Sequence, residues 1–299
     1  MASVTLPVPE DALDLAATLT SGQVFRWRRE GDCWVGVVGQ AVWRVRFARG
    51  ALTVESVGAP VTAADVARFF RLEVDLAALR AALRRLAPPL DDALDRFPGL
   101  RVVRQPAADA LVSFAIASAN HVGRIARSLD RLATTYGTPV GELDGTRFWA
   151  LPSWERLAAA DPRALWRDAD LGYRGRVLHQ LGAVLAARPA AWLEGLAALP
   201  YREARAELMA LPGIGPKIAD CVLLYGLGFD EAVPVDSHIW ATARALFGEA
   251  IPTTSLTERT YLRVADLYRT AFPANPGWAQ HYLFHRRRQT PPAARRRAA

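Results

Sequence analysis

Residues 211–220 read LPGIGPKIAD, and they fix the reading of everything around them. The preceding segment, Tyr201 to Ala210, has helical spacing. Pro212-Gly213-Ile214-Gly215 is a tight turn, and Pro216 suits the first position of a new helix, where its missing N–H is no loss. Two glycines one residue apart leave amide hydrogens unobstructed at a helix N-terminus, which can hold a phosphate oxygen without any side chain. A bare Gly-x-Gly is equally an ordinary corner between helices, so the residue after Pro216 carries the argument. Lys217 is the single lysine in the chain, and the other 36 of its 37 basic residues are arginine. Arginine serves wherever only charge is needed. A lysine retained here points to a task that a guanidinium cannot perform, and nucleophilic attack by a neutral amine is such a task.

Lys217 falls in the first turn of its helix, where the positive end of the dipole disfavours an ammonium. Cys221 and Tyr225 follow at four-residue steps on the same face. A cysteine so placed is as readily a small core residue as a pocket wall. Further on, AVPVDSHIW sets Asp236 before another helix, as an N-cap or as a carboxylate facing Lys217. His238 is a candidate phosphate ligand.

The 299 residues carry a net charge of +7, 51% hydrophobic residues and two cysteines. The apolar content suffices for a large core, and the basic balance with an isoelectric point near 10.0 suits a polyanion such as nucleic acid. Two distant thiols, Cys33 and Cys221, cannot supply a four-ligand zinc or iron–sulfur site, so no metal and no cofactor is expected. MASVTLPVPEDALDL has no secretory pattern, and no stretch is apolar for long enough to span a membrane. A cytoplasmic protein is expected, nucleoid-associated and, from the Ala/Arg excess, bacterial.

From Gln23 to about Ser56 the pattern is strand-like, with Trp43, Val45 and Phe47 alternating with Arg44 and Arg46, and predicts an antiparallel meander. A helical stretch from Thr62 to about Leu86 follows. Pro88, Pro89 and Phe97-Pro98-Gly99 then punctuate the passage to a region that is helix after helix from Ala107 to Arg287. The expected class is α+β, with an N-terminal antiparallel β domain over residues 1–98, a larger all-α domain over 99–288, and a basic disordered tail over 289–299.

The stretch LPGIGPKIADCVLLYGLGFDEAVPVDSHIW resembles the helix–hairpin–helix DNA glycosylases, and its lysine narrows the resemblance to the 8-oxoguanine DNA glycosylase/AP lyase branch. SGQVFRW, FPGLRVVRQP, SFAIASANHVGRI, LGYRGR and PGWAQHYLF are similar to that branch in the same order, so the resemblance spans about residues 5–288.

The resemblance implies an enzyme that acts on damaged double-stranded DNA as a monomer, away from membranes. Lys217 would attack C1′ of a flipped nucleotide, expel the base and form a Schiff base, with β-elimination to follow. Asp236 would steady the developing positive charge. It further implies that the Gly22 carbonyl accepts from N7–H of the oxidised base, where normal guanine has an acceptor. Gln280 would read the Watson–Crick edge, and Phe284 and Cys221 would flank the ring, with Tyr225 and Pro234 closing the pocket. Arg124 and Arg174 would hold the orphaned cytosine, Asn120 would fill the gap, Tyr173 would wedge it open, and Gly213, Gly215 and His238 would meet phosphates.

Two departures stand out. Ala119-Asn120-His121 replaces the family's consecutive asparagines, and Tyr225 is bulkier than expected. Two other readings compete: a monofunctional glycosylase for alkylated purines using Asp236, and a noncatalytic binder of DNA structure.

Overall fold

The computed structural model describes residues 2–86, 90–117, 120–251 and 255–290. Pro88, Pro89, Ala119 and the tail from 291 onward lie outside them.

The fold is α+β, a five-stranded antiparallel sheet beside a larger helical part. Strands β1 (Ala2–Pro7), β2 (Trp27–Glu30), β3 (Cys33–Val38), β4 (Ala41–Ala48) and β5 (Ala51–Val57) take the order β1-β5-β4-β3-β2. The meander expected from residue 23 is therefore β2 to β5, and it gains β1 along its β5 edge. In β1, Val4 and Leu6 alternate with polar residues and pair with Val54 and Leu52. Gln23 to Arg26 are not strand, because the Gln23 side chain is used as a tie, described below.

Trp43, Val45, Leu52 and Val54 turn one face of the sheet onto Val66, Phe69 and Phe70 of the helix Ala63–Phe70. The opposite face is covered by a hairpin the sequence pattern did not suggest. Its strands β6 (Pro139–Leu143) and β7 (Thr146–Trp149) bring Leu143 and Phe148 against Val35, Val37 and Val42. Long sequence separation hides such pairing: a two-stranded ribbon of mixed polarity has no local signal until the surface it covers is known.

The helical stretch expected from Thr62 to about Leu86 comprises two helices, Ala63–Phe70 and Leu76–Leu86. Arg71 breaks it with a left-handed backbone, its N–H closing on the carbonyls of Ala67 and Arg68. That turn aims the Arg71 side chain at Asp230 in the helical part, with two hydrogen bonds of 2.7 and 3.1 Å. Trp278 Nε1 donates to the same carboxylate at 2.9 Å.

The helical part packs around a core that includes Leu111, Phe114, Tyr268, Phe272, Trp278 and Tyr282, all almost fully buried. Leu76, Leu83, Leu90 and Leu94 join this core, although they precede residue 98. Among the described residues no helix is long and apolar enough to cross a membrane.

Candidate active site

The hairpin helices are Tyr201–Met209 and Pro216–Val222, the second with Pro at its first position. Gly213 between them has φ +73°, and a Cβ there would sit 2.6 Å from Val177 Cγ1. Both the dihedral and the close approach favour glycine. After Val222 the helix widens into a π turn over Leu223–Leu227, a local underwinding that often accompanies functional sites.

Lys217 and Asp236 open onto one cleft of about 950 Å³, within the size range of small-molecule sites. Gly22, Asn120, Gly213, Gly215, His238 and Phe284 also line it. The cleft thus joins residues from the start, middle and end of the chain. Lys217 is half-buried, with Nζ 5.5 Å from the centroid of the Phe114 ring. Asp236 caps the helix Ser237–Phe247, accepting from the Ile239 amide at 2.8 Å. It serves as N-cap and cleft wall at once, and among the described residues it forms no ion pair with Lys217.

Cys221, Tyr225, Pro234 and Gln280 lie behind the wall, each buried. Burial pushes the Cys221 thiol up to about 12, against an opposing pull from the neighbouring Lys217 charge, so Cys221 is an uncharged packing surface beneath the amine. Gln280 donates from Nε2 to the Pro234 carbonyl at 3.0 Å, and its buried Oε1 has no partner among the described residues. A buried amide oxygen left without a donor is costly unless a ligand supplies one.

Tyr225 fills its bulk differently. Its hydroxyl meets His281 Nδ1 at 3.0 Å, and His281 Nε2 meets Ser21 Oγ at 3.1 Å. Gln23, on the other side of Gly22, donates to the carbonyls of Thr18 and Arg101 and accepts from the Val103 amide. Both neighbours of Gly22 are thereby tied into the interior, which fixes the loop that carries it. Gly22 itself has φ +94°, and a Cβ would lie 2.7 Å from Arg288 Nη1 and 3.3 Å from Phe284 Cε1.

Arg124, Tyr173 and Arg174 stand outside the cleft lining. Arg124 pairs with Asp170 at 3.1 Å, Tyr173 is exposed at 53%, and the Arg174 guanidinium lies 4.6 Å from the Tyr173 ring centroid. His238 is exposed and meets Phe284 edge-on at 5.9 Å.

Among the lining residues that escaped the sequence reading are Phe25, Phe114, Tyr261 and Arg288. Arg288 donates to the Ser21 carbonyl at 2.9 Å and stacks over Phe284 at 5.5 Å. Its signal was available, since Gln280, Phe284 and Arg288 recur every four residues along the helix Pro276–Gln289, but Arg288 sits in an arginine run that reads as solvated tail. Among the described residues no group of three or more His, Cys, Asp or Glu side chains could hold a metal ion.

Over 288 residues, covering 93% of this chain and 78% of the relative, the sequence is 30% identical to the N-glycosylase/DNA lyase OGG1 of Arabidopsis thaliana. The chain belongs to the 8-oxoguanine DNA glycosylase family. The profile of the 8-oxoguanine DNA glycosylase N-terminal domain matches residues 5–111 and that of the helix-hairpin-helix motif residues 204–225, so both halves carry family features. The N-glycosylase/DNA lyase of Saccharomyces cerevisiae is 30% identical over 188 residues, 59% of this chain and 49% of the yeast protein. Among solved structures, MBOgg1 in complex with a low-affinity DNA ligand superposes with a TM-score of 0.85 at 27% identity, over 96% of each chain. The Clostridium acetobutylicum 8-oxoguanine glycosylase/lyase with DNA superposes at 0.84 and 24% identity, over 96% of this chain and 95% of that one, a likeness of fold.

Proposed function

We propose that this family member is a bifunctional DNA repair glycosylase that excises 8-oxoguanine from opposite cytosine and then cleaves the strand. The observation that carries the reading is the meeting of Lys217 and Asp236 on one cleft that Gly22 and Phe284 also line. The family relationship supports the same conclusion.

Lys217 Nζ attacks C1′ of the flipped nucleotide. The N-glycosidic bond breaks with its electron pair leaving on the base, and ring opening gives an imine between Nζ and C1′. Loss of a C2′ proton then expels the 3′ phosphate. Asp236, held by its own helix N-terminus, places negative charge where the sugar becomes positive. The Gly22 carbonyl selects N7–H, which undamaged guanine lacks, and the unpartnered Gln280 Oε1 accepts from N1–H and the exocyclic amine at the opposite edge. Phe284 supplies the stacking face. Cys221 backs the pocket beneath Lys217, while Tyr225 acts through its hydrogen bond to His281.

On the DNA side, Tyr173 and Asn120 fill the vacated gap, Arg124 and Arg174 serve the orphaned cytosine, and Gly213, Gly215 and His238 meet phosphates. The Arg124–Asp170 pair has to open for that contact. The enzyme works as a monomer, with residues 1–98 and 99–288 as its two domains, the first lending Leu76, Leu83, Leu90 and Leu94 to the core of the second.

Incubation with an 8-oxoguanine:cytosine duplex and borohydride tests the chemistry. The protein is expected to form a covalent adduct that Lys217→Gln abolishes. Base release with no adduct would remove Lys217 from its role, and release of methylated purines without strand cutting would favour a monofunctional alkylpurine glycosylase.

A further inference from the structure

Lys217 and Asp236 belong to separate helices, and no hydrogen bond or ion pair between their side chains sets their spacing. One group touches the backbone on both sides. The Tyr261 hydroxyl lies 3.3 Å from the carbonyl of Pro216, the residue before Lys217. It also lies 3.1 Å from the Val233 carbonyl and 3.4 Å from the amide of Val235, the residue before Asp236. Its shortest contact is 2.5 Å, to Asp220 Oδ2 on the lysine helix itself.

We propose that the Tyr261 hydroxyl is a positioning group that pins the lysine helix, through Asp220, to the segment delivering Asp236, and so holds nucleophile and carboxylate at their working separation. The proposal rests on the functional reading above.

A phenol has one proton, and three acceptors surround this one. The carboxylate takes it, because charge-assisted O–H···O⁻ bonds are the shortest and strongest. The phenol oxygen then accepts from Val235 N–H, so a single oxygen bonds both segments. Burial holds the phenol proton far above its ordinary range, which keeps the donor in place at any working pH. Asp220 is anchored in turn by Tyr201, whose hydroxyl donates to Oδ1 at 2.8 Å, and by Arg205 Nε at 3.2 Å. The pin therefore stands on a buried polar network of Tyr201, Arg205 and Asp220 rather than on one flexible side chain. Tyr261 is on the helix Glu258–Ala271, a third element, so its ring lines the cleft while its oxygen ties the other two.

Tyr261→Phe removes one oxygen and leaves the ring. With the 8-oxoguanine:cytosine duplex under single turnover, well below the variant's Tm, base release and borohydride-trapped adduct should both slow by about 10- to 100-fold, because misplacement of reacting groups by about an ångström costs that much. The Kd for the duplex should stay within about twofold of the unaltered protein's, since no substrate contact is lost. Full rates with only a lowered Tm would reduce Tyr261 to a stabilising residue and overturn the proposal. Amide exchange of Val235 in the unaltered protein gives a second reading: protection like that of the core is expected, and exchange at loop-like rates overturns the pin even where the variant does not fold. If the unaltered protein neither releases the base nor forms an adduct, the assigned chemistry fails, while the exchange measurement still judges the pin.

Discussion

His281 and Ser21, 260 positions apart in sequence, meet at 3.1 Å inside the protein. Through this contact the last helix reaches the loop that carries Gly22, and the Tyr225 hydroxyl closes the chain from the other side. The imidazole sits between a hydroxyl and a phenol with no carboxylate beside it, and burial drives its pKa down to about 3 from 6.5.

That shift makes stability depend on pH with a definite sign. The folded imidazole stays neutral down to about 3, while the unfolded one takes up a proton near 6.5. Stability from this group is complete above about pH 6.5 and falls as the medium is acidified towards 3, by about 1.4 kcal/mol per pH unit. Thermal unfolding of the unaltered protein and of His281→Gln between pH 7 and 4 should show a clearly shallower acid decline in the variant. Parallel declines would mean that His281 does not carry the effect.

Asp236 separates capping from chemistry. Asn caps a helix as well as Asp, whereas Ala costs about 1 kcal/mol. Asp236→Asn should keep the Tm and yet lower base release by about 100-fold or more, the loss expected when preorganised charge is removed from a developing cation. A near-normal single-turnover rate in Asp236→Asn would leave the carboxylate only its cap.

Gly22→Ala tests the pocket rim. The φ of +94° and a Cβ only 3.3 Å from Phe284 Cε1 oppose any side chain, at about 1–2 kcal/mol for the dihedral. Excision of 8-oxoguanine should fall steeply while cleavage at a preformed abasic site, which needs no base in the pocket, should persist. Equal loss of both activities would show that the loop supports the site as a whole rather than reading the base.

The Arg71–Asp230 pair tests the join between sheet and helices. Asp230→Ala takes the bidentate partner from a guanidinium whose side chain is only 5% exposed, leaving Glu73 at 3.6 Å. A loss of about 3 kcal/mol is expected, because a buried charge is stranded. Urea denaturation with a loss well under 1 kcal/mol would place the join elsewhere.

What could be read without coordinates follows from local physics. The hairpin was legible because turn glycines and a first-turn proline act within a few residues, and the alternation of Trp43, Val45 and Phe47 announced a strand by its period of two. The lone lysine marked its own position by composition. Gly22 and Phe284 followed from resemblance, since a rim glycine and a helix aromatic look unremarkable alone.

Only the tertiary structure decided the rest. Residues 139–149 form a hairpin because the exposed face of the sheet needs cover, a fact absent from the hairpin's own composition. Tyr225 turns its hydroxyl to His281 because both are buried and each must find a partner. Arg288 leaves the charged run to cap Ser21, and Tyr261 ties Asp220 of the lysine helix to the segment before Asp236. The sequence by itself determined the helical hairpin, the meander and the reactive residue types, since these obey rules of short range. The spacing among Lys217, Asp236, Gly22 and Phe284 is set by contacts between distant segments, and packing the chain is what creates them.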